Sequence, residues 1–410
     1  MGVGTGMGTT YDVRAVRAHF PALAAGAAHF DGPGGSQVPD TVAAAVADTL
    51  LSPLANRGSV TAAERASDAI VLAARAAMGD LLGADPRGVV FGRSMTALTF
   101  DLARTLAATW RAGDEVIVTR LDHDANIRPW VYAAEAVGAT VRWADFDPRT
   151  AELTVADVAR ELSSRTRVVA VTGASNLLGT RPPVPLIAAA AHERGALVVV
   201  DGVHLTAHAP VDVAALGADV YACSPYKFLG PHCGVLAAAP DLLESLTPQK
   251  LLPSPDSVPE RFELGTLPYE LLAGTTAAVE FLAGLDPAAT GTRRERLTAS
   301  MTVVERYEDR LRHRIEDGLA QLSGVVVHSR AQSRTPTMLL SFPGRDPQDA
   351  YRFLAERGVN APAGTFYALE ASRRLGFGDR GSLRVGLAPY TDDGDVDRLL
   401  AALGDFLARP

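Results

Sequence analysis

Two side chains carry most of the chemical promise in this sequence. Asp201 closes the apolar run "ALVVVD" (196–201), and Lys227 lies 26 residues later within "SPYKFLGPHC" (224–233). Lys227 and Lys250 are the only lysines among 39 basic residues; all the others are arginines. A guanidinium holds its proton too firmly to attack a carbonyl, whereas an amine can release it. A chain that writes arginine almost everywhere therefore has a chemical reason to keep a lysine at position 227.

Aspartate and lysine at the tips of neighbouring strands match the needs of pyridoxal 5'-phosphate. The lysine forms the Schiff base, and the carboxylate keeps the pyridine nitrogen protonated so that the ring accepts electrons. The plainer alternative is a solvated lysine and a helix-capping aspartate. Other segments bear on the choice. "GRSMTAL" (92–98) sits at a strand-to-helix junction, where free N–H groups and the hydroxyls of Ser94 and Thr96 can hold a phosphate. An ordinary N-cap reads equally well there. "LDHDANIRPW" (121–130) brings His123 to the same edge, either to stack on a flat ring and move a proton or simply to pack. "GASNLLGT" (173–180) supplies Asn176, as a ligand for a ring hydroxyl or as an Asx turn. "DGVHLTAHAP" adds His204 just past Asp201. Each signal is weak alone, but five strand ends offer suitable groups in consistent positions.

The elements that must position these groups are legible as a pattern. From about 60 to 240, strand-like runs such as "GVVFG" (88–92), "DEVIVTR" (114–120), "ATVRWADF", "TRVVAVTG" (166–173), "ALVVVD" and "ADVYACS" (218–224) alternate with helical segments. Apolar strands separated by helices predict an α/β fold, a mostly parallel sheet covered on both faces. Chemistry in such sheets gathers at the carboxyl ends of the strands. A long helical period over 286–322, followed by short strands and helices, predicts a smaller α+β C-terminal domain. "LTPQKLLPSPDSVPE" (246–260) reads as a surface loop.

Bulk properties narrow the partners. At 410 residues, 47% hydrophobic and 21% charged, the chain has the composition of a soluble protein of two unequal domains. A net charge of −8 argues against nucleic acid and anionic membranes. The apolar runs fall far short of the roughly 20 residues a spanning helix needs. The first residues have no basic start and apolar core, so no secretory signal is expected. Two cysteines, Cys223 and Cys233, build no disulfide framework and suit a reducing cytoplasm.

With these residues in order, the sequence resembles the class V aminotransferase family of fold-type I pyridoxal-phosphate enzymes, in particular its cysteine desulfurase-like branch. The likeness runs from "HFDGPGGSQVP" (29–39) to "SLRVGLAPYTDDGDVDRLL" (382–400) and rests on "RLDHDANIRPW" and "SPYKFLGPH". It implies Lys227 as the Schiff-base lysine, Asp201 as partner of the pyridine nitrogen, His123 stacked on the ring, and Asn176 and His204 near the ring hydroxyl. It implies Met95, Thr96 and Ser224 at the phosphate, with Tyr226 replacing the histidine that often precedes the lysine. Arg384 in "SLRVGLAPY" matches the arginine that grips a substrate carboxylate, and Arg57 in "ANRGS" falls near the substrate channel. Thr266 in "FELGTLPYE" (262–270) matches a segment that completes the neighbouring subunit's phosphate site, which implies a homodimer. The implied layout is an N-terminal segment (1–28) packing with the small domain, a large cofactor domain (29–285) and the small domain (286–410). No metal is called for.

One departure bears on the reaction. The stretch matching the mobile loop that carries the desulfurases' catalytic cysteine is "NAPAGTFYALE" (360–370), which has none. Cys223 and Cys233 read as buried, structural thiols. The expectation is an enzyme acting on an amino acid through an external aldimine. C–S cleavage by β-elimination, or desulfurase-type chemistry without that cysteine, comes first; transamination or epimerisation is the alternative. A remoter alternative is a non-catalytic scaffold of the same fold.

Overall fold

The computed structural model describes residues 11–409. Residues 1–10 of the expected N-terminal segment lie outside the described residues. Thirteen strands are present among the described residues: β1 (Ala28–His29), β2 (Val89–Gly92), β3 (Glu115–Thr119), β4 (Thr140–Ala144), β5 (Thr166–Thr172), β6 (Leu197–Asp201), β7 (Val220–Cys223), β8 (Gly234–Ala238), β9 (Val326–Val327), β10 (Thr337–Ser341), β11 (Val359–Asn360), β12 (Ala363–Gly364) and β13 (Ser382–Gly386).

Seven of them form one sheet in the order β2-β8-β7-β6-β5-β3-β4. Every pairing is parallel except the two made by β8, which runs antiparallel to both β2 and β7. Interior strands such as β3, β7 and β8 are buried throughout, as a sheet covered on both faces requires, while edge strand β4 is largely accessible. Helices fill both faces. The one over Ala62–Leu82 opens with a Thr61–Glu64 capping box and stops at Gly83 in the left-handed region.

The 28-residue helix Arg293–Ala320 leads to a second, antiparallel sheet, β12-β13-β10-β9, packed by helices Pro347–Ala355 and Asp393–Leu407. Residues 11–29 lie against this part of the chain. Tyr11 donates to the Pro389 carbonyl (2.9 Å), Arg17 pairs with Asp395 (2.6 Å), and β1 adds in parallel to β11.

The strand and helix pattern expected from the sequence is found, with three differences. The long helix begins at Arg293 rather than near 286, because Thr292 and Glu295 form its capping box. Strand β8 has no counterpart in the sequence pattern, since five small apolar residues carry no period of their own. Helices Asp40–Leu51 and Tyr269–Ala283 likewise go unannounced, their apolar residues being too evenly spread to draw a clear stripe.

Candidate active site

The carboxyl ends of β3, β5, β6 and β7 lie side by side, and each delivers one or more polar groups to a common cleft. Its walls are formed by Met95, Thr96, His123, Asn176, Asp201, His204, Ser224, Tyr226 and Lys227, together with Pro33 and small neighbours. The cleft opens outward into a cavity of about 580 Å³ that Arg384, Phe366 and Tyr367 help to line.

One wall is the start of helix Met95–Ala107, whose first-turn N–H groups face the cleft through Met95 and Thr96. Oriented N–H groups and the helix dipole favour an anion there. The turn comes close because Gly234 of β8 has no side chain: a Cβ there would run into the Ser94 carbonyl carbon. Ser94 itself departs from expectation. Its hydroxyl accepts from Ala97 N (3.1 Å) as the helix N-cap and does not line the cleft, so the ordinary capping reading holds.

Lys227 ends a short turn after β7, and its Nζ donates to the carbonyls of Pro33 (2.6 Å) and Gly34 (2.9 Å). Burial, and then the positive charge of Arg384, lower its pKa to about 7. The amine is therefore close to half neutral at physiological pH. Asp201 is pushed up to about 6 by burial, against the hydrogen bond its Oδ1 accepts from Val203 N (2.9 Å).

His123 accepts from Ala125 N through Nδ1 (3.0 Å), which leaves the neutral ring's proton on Nε2. Burial and the charges of Lys227 and Arg384 hold its pKa down to about 4, so the ring stays neutral. Its floor is a buried network that the sequence does not suggest. Asp122 takes hydrogen bonds from Thr119 and from Asn126 Nδ2 (2.7 Å), and burial raises its pKa to about 8. His204 places Nε2 between the hydroxyls of Thr335 (2.9 Å) and Thr337 (3.0 Å), tying the strand ends to β10.

Asn176 and Arg384 meet at the mouth. Asn176 Nδ2 donates to the Phe366 carbonyl (2.9 Å), while its buried Oδ1 has no partner. Arg384, on β13 and only 2% exposed, donates to the Asn176 carbonyl (3.0 Å) and lies 3.7 Å from the Phe366 ring centroid. No carboxylate among the described residues pairs with it, and burial lowers its pKa to about 9. It is a desolvated, still protonated guanidinium with a free face.

Phe366 and Tyr367, which the sequence does not single out, both hold positive φ (54° and 58°), a conformation L-residues seldom adopt. They are pinned there: the Phe366 carbonyl accepts from Asn176, and the Tyr367 carbonyl accepts from Asp124 N (2.7 Å). The segment 365–368 is thus a strap fastened across the strand ends. Only a strained doublet betrays it, and no sequence pattern announces such a doublet.

Two expected site residues stay out of this chain's cleft. Arg57, expected near the substrate channel, pairs with Asp68 (2.8 Å) and Glu260 (3.0 Å) and lines neither cavity of this chain. Thr266 is exposed on a loop whose root is fixed by the buried Arg75–Glu263 pair (2.9 Å). Cys223 and Cys233 are buried and line neither cavity; burial raises Cys233 to about 11 and Cys223 further.

The sequence pattern of class-V aminotransferases matches residues 28–399, almost the whole chain. The chain belongs to the class V aminotransferase family. Among similar proteins, the Mycobacterium tuberculosis protein MT3887 is 35% identical over 97% of this chain and 99% of its own length. A probable cysteine desulfurase of Pseudomonas aeruginosa is 31% identical over 94% of this chain and 96% of its own. The crystal structure of the cysteine desulfurase CsdA from Escherichia coli superposes with a TM-score of 0.85 at 28% identity, covering 97% of this chain and 98% of that one. This class V protein therefore has the fold-type I architecture and is a pyridoxal-phosphate enzyme.

The residues present suit that cofactor. Asn176 lines the cleft, and its Oδ1 is a buried acceptor with no partner, a group that a ring hydroxyl would satisfy. The helix start at Met95 offers donors to a phosphate, and Asp201 is a buried carboxylate whose charge a pyridinium would stabilise.

Proposed function

We propose that this chain is a homodimeric C–S lyase that cleaves a β-substituted amino acid by β-elimination. Pyridoxal 5'-phosphate, when bound, supplies the electron sink for a carbanion at Cα. The protein's part follows from its own groups. Arg384 receives the substrate carboxylate in a two-pronged grip. Lys227, with a pKa near 7, would hold the cofactor and can take the Cα proton on Nζ. Asp201 would keep the ring nitrogen protonated, and the neutral His123 ring would cover the ring face. Asn176 and His204 would sit by the ring hydroxyl; Thr96, Met95, Ser224 and Tyr226 would surround the phosphate.

The observation that carries the reaction type is the strap. The 360–370 segment holds no thiol, and hydrogen bonds to Asn176 and Asp124 fasten it in place. The two thiols elsewhere are buried and shifted away from the thiolate. A persulfide relay has no carrier here, whereas β-elimination needs none.

Thr266 is assigned to the partner's phosphate site. The exposure of several large apolar side chains, Leu50, Leu51, Leu251, Leu252 and Leu264 among them, is consistent with a dimer. Residues 29–285 form the cofactor domain and the chain from 286 onward the smaller one, with residues 11–28 packed on the latter. Two free thiols suit the cytoplasm.

The test is a panel of β-substituted amino acids assayed together for thiol or sulfide, pyruvate, ammonia, keto acid and inverted stereochemistry. Stoichiometric thiol, pyruvate and ammonia support the lyase. Keto acid of unchanged skeleton or inversion at Cα would replace it with transamination or epimerisation.

A further inference from the structure

The outer cavity is built for far more than a cysteine side chain. Beyond Lys227 and Arg384 it extends to about 580 Å³ and is lined by Phe100, Tyr132, Tyr226, Phe366 and Tyr367. Cavities of roughly 300–1,000 Å³ are those that bury drug-sized ligands. Two rings are already arranged in parallel: Phe100 and Tyr132 lie 6.4 Å apart at 22°. Tyr367, also on the lining, stands 5.5 Å from His123. In the single chain both tyrosines are well exposed, Tyr132 at 56% and Tyr367 at 74%, so their rings are open to a ligand.

The charges say what that occupant is not. Arg128, on the same wall, is neutralised by Asp124 (3.0 Å) and Glu370 (2.5 Å), and Asp124 is thereby spent. This leaves Arg384 to take a carboxylate, and no unpaired acid on the lining to attract a cationic side chain.

Resting on the lyase reading above, we propose that the substrate is a cysteine S-conjugate with a large, uncharged aromatic group on sulfur. Its carboxylate meets Arg384 and its ring lodges between Tyr132 and Tyr367. In the reaction the C–S bond breaks and the sulfur leaves with the bonding pair and gains a proton. One water then releases the three-carbon remainder as pyruvate and ammonium. No oxidant or sulfur acceptor is required. Tyr132 and Tyr367 are the specificity-determining residues, and the strap carries one of them where the desulfurases carry cysteine.

Binding can be read from the visible spectrum of the holoenzyme without turnover, using L-phenylalanine and L-alanine, which lack a leaving group. Phenylalanine should half-saturate the change at about tenfold lower concentration, the scale of one or two good ring contacts. The Tyr132→Ala/Tyr367→Ala double variant should bring the ratio of the two toward one. S-Benzyl-L-cysteine should exceed L-cysteine in kcat/KM for pyruvate release. Equal or tighter binding of alanine, or a ratio unmoved in the double variant, overturns the aromatic-substrate proposal while leaving the lyase reading intact. A phenylalanine preference with no pyruvate from S-benzyl-L-cysteine keeps the aromatic pocket and rejects the lyase. If no amino acid perturbs the spectrum, both fall.

Discussion

Asn176 and Phe366 are joined by a 2.9 Å hydrogen bond from the side-chain amide of one to the main-chain carbonyl of the other. That bond fixes the amide's orientation, leaves the buried Oδ1 without a partner, and fastens a left-handed doublet across the site. Cofactor site, strap and Arg384 therefore meet at a single residue, since the Asn176 carbonyl also receives the guanidinium.

Asn176→Ala should loosen the cofactor site and the strap but keep the Arg384 bond, which is made to the main-chain carbonyl. Losing a buried hydrogen bond costs about 1 kcal/mol, so cofactor affinity should fall about five- to tenfold in a titration of the apoprotein. Hydrogen exchange should speed up at 365–368 and leave the 293–320 helix unchanged. Unaltered exchange in the strap would mean that its conformation is held by the other contacts alone.

Lys227 should titrate within the working range. Its pKa is lowered to about 7, so the free amine, the form that attacks a carbonyl, grows as pH rises through that value. Stopped-flow loading of apoprotein with pyridoxal phosphate should accelerate about tenfold between pH 6 and 8 and level off above. Lys227→Ala should remove the borohydride-sensitive visible band, and Lys250→Ala, beside exposed Asp256 (2.9 Å), should keep it. A rate still climbing steeply at pH 9 would place the amine near its ordinary value.

The part of the site that is legible in the sequence is the part carried by strand ends. A polar residue that follows an apolar run is placed by the strand itself, so the order of residues alone locates Asp201, Lys227, His123 and Asn176. Arg384 can be named only through family resemblance, because it arrives from β13 of a different sheet and nothing local aims it at Asn176. Phe366 and Tyr367 are invisible for another reason. Their positive φ is imposed by tertiary hydrogen bonds against the residues' own preference. Ser94 shows the opposite failing, since one hydroxyl at a strand-helix junction serves a cap as readily as a phosphate.

The cysteines should prove dispensable. With Cys233 raised to about 11 and Cys223 further by burial, neither is a thiolate at neutral pH. Cys233→Ser should retain product formation within about twofold, and native protein at pH 8 should resist iodoacetamide over the time in which denatured protein is fully labelled. Loss of activity in Cys233→Ser with the cofactor band intact would restore a thiol mechanism.

Arg384 supplies the sharpest separation between binding and folding. Its guanidinium is buried over the Phe366 ring and lacks an acidic partner, so part of its interaction capacity is kept for substrate. Lysine in its place keeps the charge but loses the fork and the flat ring contact. A charge-assisted pair is worth about 1.5–3 kcal/mol, so Arg384→Lys should raise KM for amino acids by roughly 10- to 100-fold. An amine lacking the carboxylate never uses the fork, so its spectral binding constant should move far less. Equal losses for both ligands would show that the variant disturbs the cleft as a whole, and Arg384 would then be a packing residue instead of the carboxylate's anchor.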